Sequence, residues 1–273
     1  MLINGNCLEE LKGIDDKSID LIFCDLPYGQ TSCKWDCKID LELFWKEIMR
    51  IKKLNTPIFF TTTTKFGVEL ITSAPKKCFF RYDIVWVKSA PSGFLSAKKM
   101  PLRKHEMVYV FYEKLPFYDL SSHKHKFLKD GTKSKEDNCY GVQKLDIKKS
   151  YNPPLPTSVV TPESKMVMNE KGIYGDIKTE DSKECGGHQK RYDPPLPNSL
   201  LEIKTTRGHH STEKPVALME WILKYYSKEG DVILDPTMGS GSTGVACKNM
   251  NRNFIGIEKD PKIYEVAVNR IEK

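Results

Sequence analysis

Residues 231–246, DVILDPTMGSGSTGVA, decide how the rest of the chain is read. Val232, Ile233 and Leu234 form a short continuous apolar run, the mark of a strand buried on both faces, and Asp235 gives that strand an acidic tip. Pro236 and Thr237 end the run. Gly239, Ser240, Gly241, Ser242, Thr243 and Gly244 then make a turn that matches GxGxxG and leads into a helix through Val245, Ala246 and Cys247. Glycines let a ligand approach the backbone, and the unpaired amides of a helix start face it. Asn253 to Glu258 is a second buried strand. Its acidic end, nineteen residues past Gly239, stands where a carboxylate can take a ribose diol.

Outward from this stretch the chain alternates strand and helix. Pro215 to Tyr226 has helical spacing with proline in its first turn, and Asp260-Pro261 opens a final helix. Towards the N-terminus, Met1 to Asn4 reads as a short strand, Cys7 to Lys12 as a short helix and Ile19 to Asp25 as a strand. Leu41 to Lys52 reads as an amphipathic helix and Pro57 to Thr61 as a strand. Phe80 to Val87 and Glu106 to Tyr112 are two more, joined by a polar, lysine-rich connection. The pattern predicts an α/β protein with a mainly parallel sheet covered on both faces. Residues 114–206 break the alternation. They repeat one motif, Tyr151-Asn-Pro-Pro-Leu-Pro-Thr-Ser-Val-Val160 against Tyr192-Asp-Pro-Pro-Leu-Pro-Asn-Ser-Leu-Leu201, whose prolines favour extended backbone ending in a short apolar strand. They read as an inserted domain of irregular structure, with partial disorder near 161–190 as the alternative.

The charge is as segregated as the pattern. The 273 residues carry 43 Lys+Arg and 36 Asp+Glu, a formal net charge of +7. Residues 1–87 hold 12 basic and 12 acidic side chains and residues 151–273 hold 17 of each, so residues 88–150, with 14 basic and 7 acidic, carry the whole excess. Such a block suits a phosphate backbone, with a solvated lysine-rich loop as the plain alternative. At 39% apolar and 29% charged, the composition is that of a soluble globular protein. No run approaches a membrane span and no signal peptide is evident, so a cytoplasmic protein with its eight cysteines reduced is expected.

Two ligand classes fit the glycine turn. A nicotinamide dinucleotide fits GxGxxG, but only fifteen residues follow Glu258, too few to build a nicotinamide half. Asp235 also offers a carboxylate suited to an ammonium group. S-adenosylmethionine presents both a diol and an α-ammonium, and is preferred. The second motif is Asp25-Leu26-Pro27-Tyr28-Gly29, straight after a buried strand, where a carboxylate at the strand's carboxyl end reads as a site residue and a plain Asp/Pro turn is the alternative.

Taken together, DLPYG, RKHE at 103–106, HSTEKP at 210–215, LDPTMGSGSTGVA at 234–246 and NFIGIE at 253–258 resemble the amino-group DNA methyltransferases of the β arrangement. In that family the catalytic motif comes first, then the target-recognition insertion, and the cofactor motif last. The resemblance implies a circularly permuted, Rossmann-like methyltransferase fold with a seven-stranded, mainly parallel sheet. Residues 1–113 and 207–273 would form the catalytic domain and 114–206 the target-recognition insertion. Asp231–Asp235 would lie centrally beside Ile19–Cys24, at a reversal of strand order where ligands bind.

It also implies roles. The Asp25 carboxylate and the Leu26 carbonyl would accept the two N–H groups of an exocyclic amine, localising a lone pair otherwise delocalised into the ring. Pro27 would set the direction of that carbonyl, and Tyr28 would stack on the base. Leu26 departs from the usual first proline, but the acceptor there is backbone. Glu258 would take the ribose hydroxyls and Asp235 the methionine amine, within a pocket that also includes Asp25, Pro236, Thr237, Gly239, Ser240, Gly241, Ser242 and Thr243. Ser211, Thr212 and Lys214 would approach the cofactor's carboxylate, and Asn6-Cys7 its adenine. Trp35, in the loop after DLPYG, would close over a flipped base, with core packing as the alternative. Lys88, Lys98, Lys99, Arg103 and Lys104 would hold DNA phosphates.

The expected activity is methylation of adenine N6 in double-stranded DNA. The alternatives are cytosine N4 or an inactive DNA-binding relative, which Leu26 favours. A membrane partner is not expected; a homodimer and a cognate restriction endonuclease are both left open. Cys185-x-x-His188, His123-x-His125 and Cys33-x-x-x-Cys37 have ligand-like spacings without a paired set, so no metal site is expected.

Overall fold

The computed structural model describes residues 1–29, 37–92, 99, 101–122, 124–127, 149–152, 159–160 and 213–273. Its first half runs β1 (Leu2–Asn4), α1 (Cys7–Glu10), β2 (Leu21–Cys24), α2 (Leu41–Ile51), β3 (Ile58–Thr62), α3 (Thr64–Ser73), β4 (Phe79–Ser92) and β5 (Arg103–Tyr112). From the insertion come β6 (Lys124–Phe127), β7 (Lys149–Asn152) and β8 (Val159–Val160). The C-terminal part is α4 (Val216–Tyr226), β9 (Val232–Asp235), α5 (Ser242–Asn249), β10 (Asn253–Glu258) and α6 (Pro261–Glu272).

The main sheet has the order β1-β10-β9-β2-β3-β5-β4-β8. Seven of these strands are those expected, and β5 runs antiparallel to both its neighbours while the other pairings are parallel. The eighth, two-residue β8, adds parallel to β4 through Val85↔Val159 and Trp86↔Val160. It comes from the first copy of the proline repeat, which ends in an apolar strand as its sequence suggested. The second copy lies outside the described residues. β6 and β7 pair antiparallel as a separate two-stranded sheet.

Period-two alternation assigns each strand residue to a face. Ile22, Cys24, Ile58, Phe60, Phe111, Leu234 and Ile257 pack with Cys7, Phe44, Trp45, Ile48, Phe66 and Leu70, so α1, α2 and α3 cover one side. Leu21, Phe23, Phe59, Val108, Val110 and Ile233 pack on the other with Leu218, Met219, Ile222 and Leu223 of α4 and Ala246 and Cys247 of α5. Side-chain caps define the helix starts: Asp40 accepts from the amides of Glu42 and Leu43, and Asp260 from Lys262 and Ile263. Helix α3 was not foreseen. The strand expected from sequence stops at Thr61 with no element assigned after it, yet Thr63 caps a helix by accepting from the Phe66 amide at 3.3 Å, and Phe66 and Leu70 repeat at helical spacing. The chain beyond residue 113 still packs on this body. Asp119 donates its amide to the Tyr225 carbonyl at 2.8 Å, and the Tyr118 ring lies 5.1 Å from that of Tyr226.

Candidate active site

Two parallel strands set the site. β2 pairs with β9 through Leu21↔Ile233 and Ile22↔Leu234, so Asp25 and Asp235 emerge at the same, carboxyl edge of the sheet. β10 lies on the far side of β9 and β1 beyond it, which brings Glu258 and then Asn6 to that edge as well. Residues over two hundred positions apart thus meet at the point where strand order reverses.

The Asp25 carboxylate is held on both oxygens. Oδ1 accepts from the Tyr28 hydroxyl at 3.1 Å and from the Thr61 hydroxyl, and Oδ2 accepts from Lys214 Nζ at 2.6 Å. Lys214 also lies 3.6 Å from Glu106 Oε2, and Lys88 pairs with the other oxygen of Glu106. Charges therefore alternate from Asp25 through Lys214 and Glu106 to Lys88. Burial works against the Lys214 charge, but Asp25 and Glu106 outweigh it and raise its pKa. Burial, reinforced by Asp25, raises the Tyr28 hydroxyl well above the ordinary phenol range, and its ring packs 5.3 Å from Phe66. Leu26 is buried in the core cluster, so its side chain serves packing. Thr61 is a member of this constellation that the sequence did not single out; its place on the neighbouring strand β3 is visible only once β2 and β3 are paired.

The glycine turn is built as its sequence demands. Gly239 and Gly241 have φ of +53° and +83°, a region that favours glycine. Glu258 spans the turn, accepting from the Gly239 amide on Oε2 at 3.0 Å and from the Asp260 amide on Oε1 at 2.8 Å. Among the described residues nothing lies within 4 Å of where a Gly239 Cβ would stand, so none of them blocks a ligand on that side of the turn. Asp235, expected at the methionine amine, is engaged within its own turn. It is buried, with Oδ1 accepting from the Thr237 amide at 3.1 Å and Oδ2 from the Thr243 hydroxyl at 2.6 Å. Both oxygens are thus engaged in holding the turn. Burial, only partly offset by these two donors, pushes its pKa up to about 7.

From α6, Arg270 reaches across to the Ser240 carbonyl, the Ser240 and Ser242 hydroxyls, and Glu213 Oε1, the last at 2.5 Å. Neither Arg270 nor Glu213 was anticipated. A C-terminal helix with no motif gives no sequence signal of such a contact. Among the described residues, Thr237 Oγ1, Glu213 Oε2 and Glu106 Oε2 are buried side-chain atoms without a hydrogen-bond partner at this edge. The first two flank the glycine turn, and a ligand bearing an amino-acid end fits such a pair.

Other expectations divide. Asn6 caps α1, its Oδ1 accepting from the Leu8 amide at 3.1 Å. Cys7 is buried beside Glu258, and burial raises its thiol to about 11. Lys214, expected at the cofactor's carboxylate, instead pairs with Asp25 and Glu106. Of the proposed phosphate contacts, Lys99 and Arg103 are exposed, but Lys104 is buried and Lys88 is committed to Glu106. Strand alternation turns Lys104 away from the Arg103 side, so a run of basic residues is not a basic face. Trp35, Lys98, Ser211 and Thr212 lie outside the described residues, as do Cys33, His123, Cys185 and His188 of the metal-like spacings.

The comparisons agree with this architecture. Type II methyltransferase M.HindIII of Haemophilus influenzae is 42% identical over 77 residues, which cover 27% of this chain and 25% of that protein. Two relatives match along the whole chain at 26% identity. Type II methyltransferase M.HinfI of Haemophilus influenzae is covered over 68% of its length, with 100% of this chain aligned. DNA adenine methyltransferase YhdJ of Escherichia coli is covered over 82%, with 99% of this chain aligned. Among solved structures, the M1.HpyAVI–SAM complex superposes with a TM-score of 0.58 at 19% identity over 99% of this chain and 98% of that one. The cytosine-N4-specific PvuII DNA methyltransferase gives 0.60 at 14% over 98% and 85%. A family profile described as DNA methylase matches residues 19–269, taking in both the Asp25 motif and the glycine turn. The chain belongs to that family, the N6/N4 DNA methylases.

Proposed function

We propose that this chain is a site-specific DNA methyltransferase that transfers a methyl group from S-adenosylmethionine to the N6 amine of an adenine flipped out of the duplex. The observation that carries the reading is the meeting of the Asp25 carboxylate with the glycine turn on the adjacent strands β2 and β9. Family membership and the name of the relative YhdJ support it.

The chain's own groups suit the chemistry. A carboxylate offers about four acceptor positions. Tyr28 and Thr61 use two on Asp25 Oδ1 and Lys214 one on Oδ2, which leaves a place on Oδ2 for an amine N–H. The Leu26 carbonyl, directed by Pro27, is the second acceptor, and two acceptors draw the nitrogen towards tetrahedral geometry. Orientation and electrostatics carry the rate, with no covalent enzyme intermediate. S-adenosylmethionine, when bound, supplies the electrophilic sulfonium methyl. Glu258 and the Gly239 side of the turn hold its ribose, and Thr237 and Glu213 lie towards its amino-acid end. Leu26 was the ground for an inactive relative; with its side chain in the core, its replacement of proline costs the acceptor nothing.

Residues 1–113 and 207–273 are the catalytic domain in this proposal, and 114–206 reads the target sequence. The protein acts in the cytoplasm. The Type II relatives support a cognate restriction endonuclease, and light scattering of the purified protein separates a monomer from a homodimer. Methylation-sensitive sequencing of DNA from an expressing host should reveal N6-methyladenine at one recurrent sequence. Methylated cytosine with no methylated adenine would move the substrate to cytosine N4.

A further inference from the structure

Glu213, next to Lys214 in the chain, is tied to the glycine turn through the last helix. Glu213 and Lys214 are consecutive, yet they serve different partners. Lys214 is drawn to Asp25 Oδ2 at 2.6 Å, whereas Glu213 Oε1 meets Arg270, whose other nitrogen holds the apex of the glycine turn at Ser240. The pair therefore bridges the catalytic carboxylate and the turn. This is the ground that the amino-acid end of S-adenosylmethionine must cross for its methyl to face Asp25.

Within that ground the carboxylates of the described residues differ in how far they are already occupied. An α-ammonium brings three donors and a full charge. Asp235 already accepts one donor on each oxygen, from Thr237 and Thr243, and Glu258 one on each, from the amides of Gly239 and Asp260. The Glu213 side chain is only 5% exposed, with Oε1 paired to Arg270 and Oε2 buried without a donor. Leaving a buried charged acceptor unpaired is costly, and a cationic donor entering with a ligand removes that cost.

We propose that Glu213 Oε2, held in place by Arg270, is the acceptor for the α-ammonium of S-adenosylmethionine, and that Asp235 is instead a structural post of the turn. This rests on the cofactor reading above. Arg270 acts as a positioning residue, since it orients Glu213 and the turn together.

Calorimetry on the full chain tests it with three probes. S-adenosylhomocysteine carries the ammonium, 5′-S-(3-carboxypropyl)-5′-thioadenosine lacks only that group, and 5′-methylthioadenosine lacks the whole amino-acid end. The native protein should bind S-adenosylhomocysteine well above the deamino probe. Glu213→Gln keeps a carbonyl for Arg270, and should weaken S-adenosylhomocysteine about 10-fold or more while leaving the other two probes within about twofold. Equal losses for all three probes would make Glu213 a structural support and overturn the proposal. So would an Asp235→Asn variant that alone erased discrimination between the first two probes. Should Glu213→Gln fail to fold, Arg270→Lys should reduce that same discrimination, and retention of full discrimination would count against the proposal. A native protein that binds none of the probes would instead refute the cofactor reading itself.

Discussion

At the residue scale the site is governed by how many partners each carboxylate already has. Asp25 retains one open acceptor position and a cation at 2.6 Å. Asp25→Asn keeps an acceptor for the two hydroxyls but removes the charge that binds Lys214. Its turnover should fall about 100-fold or more, with affinity for S-adenosylhomocysteine changed only a few-fold. Near-native turnover would remove Asp25 from the chemistry. Asp235 makes a prediction of a different kind. With a folded pKa of about 7 against an unfolded value near the ordinary carboxylate range, the folded protein holds this proton while the unfolded chain has lost it. Stability from this group is present at low pH and is lost as pH rises from about 4 through 7, at up to ~1.4 kcal/mol per pH unit. Asp235→Asn should flatten that part of the slope in denaturant titrations between pH 5 and 8. Parallel curves for the two proteins would mean that Asp235 does not titrate there.

At the element scale the glycine turn shows two glycines needed for different reasons. A Cβ at Gly241, with φ +83°, would stand 2.9 Å from Ile271 Cδ1 and 3.1 Å from Ala267 Cβ, so α6 packs against the turn where a side chain would go. Gly241→Ala should destabilise the fold by about 1–2 kcal/mol, lowering its melting temperature. Gly239→Ala meets no neighbour among the described residues. It should cost less stability, and should lower cofactor affinity by more than its stability loss explains; an unchanged affinity would place the ligand elsewhere. The same scale shows what sequence reading overlooked. Helix α3 follows directly on a strand in a threonine run, where β propensity and capping chemistry use the same residue. β4 and β5 also run further than their apolar cores suggested, because hairpin pairing from Val87↔His105 to Ser92↔Arg103 carries polar residues along.

At the scale of the whole molecule the excess charge of residues 88–150 starts on strands of the main sheet other than those that carry Asp25 and the glycine turn. The basic block begins on β4 and β5; β5 adjoins β3, the neighbour of the catalytic strand β2, and β4 lies beyond β5. Its members are not equivalent. Replacing Lys99 and Arg103 by Gln should weaken DNA binding and reduce the slope of log affinity against log salt by roughly 2, whereas Lys104→Gln should act mainly on stability. An unchanged salt slope for the double variant would put the DNA on another face.

The sequence by itself determined the alternation of elements, the permuted order of the two motifs and the turn chemistry of the glycines. These are local properties, since a backbone conformation or a run of apolar residues is written in neighbouring positions. It also marked Asp25, Asp235 and Glu258, because acids at the carboxyl ends of buried parallel strands stand where α/β sheets bind ligands. Only the tertiary structure decided which oxygen answers which donor. Thr61 joins Asp25 through strand pairing, Arg270 reaches Ser240 and Glu213 from the last helix, Lys214 turns to Asp25, and Asp235 closes on its own turn. Hydrogen bonds and ion pairs act over about 3 Å, and which groups come that close is settled by packing between segments far apart in the chain.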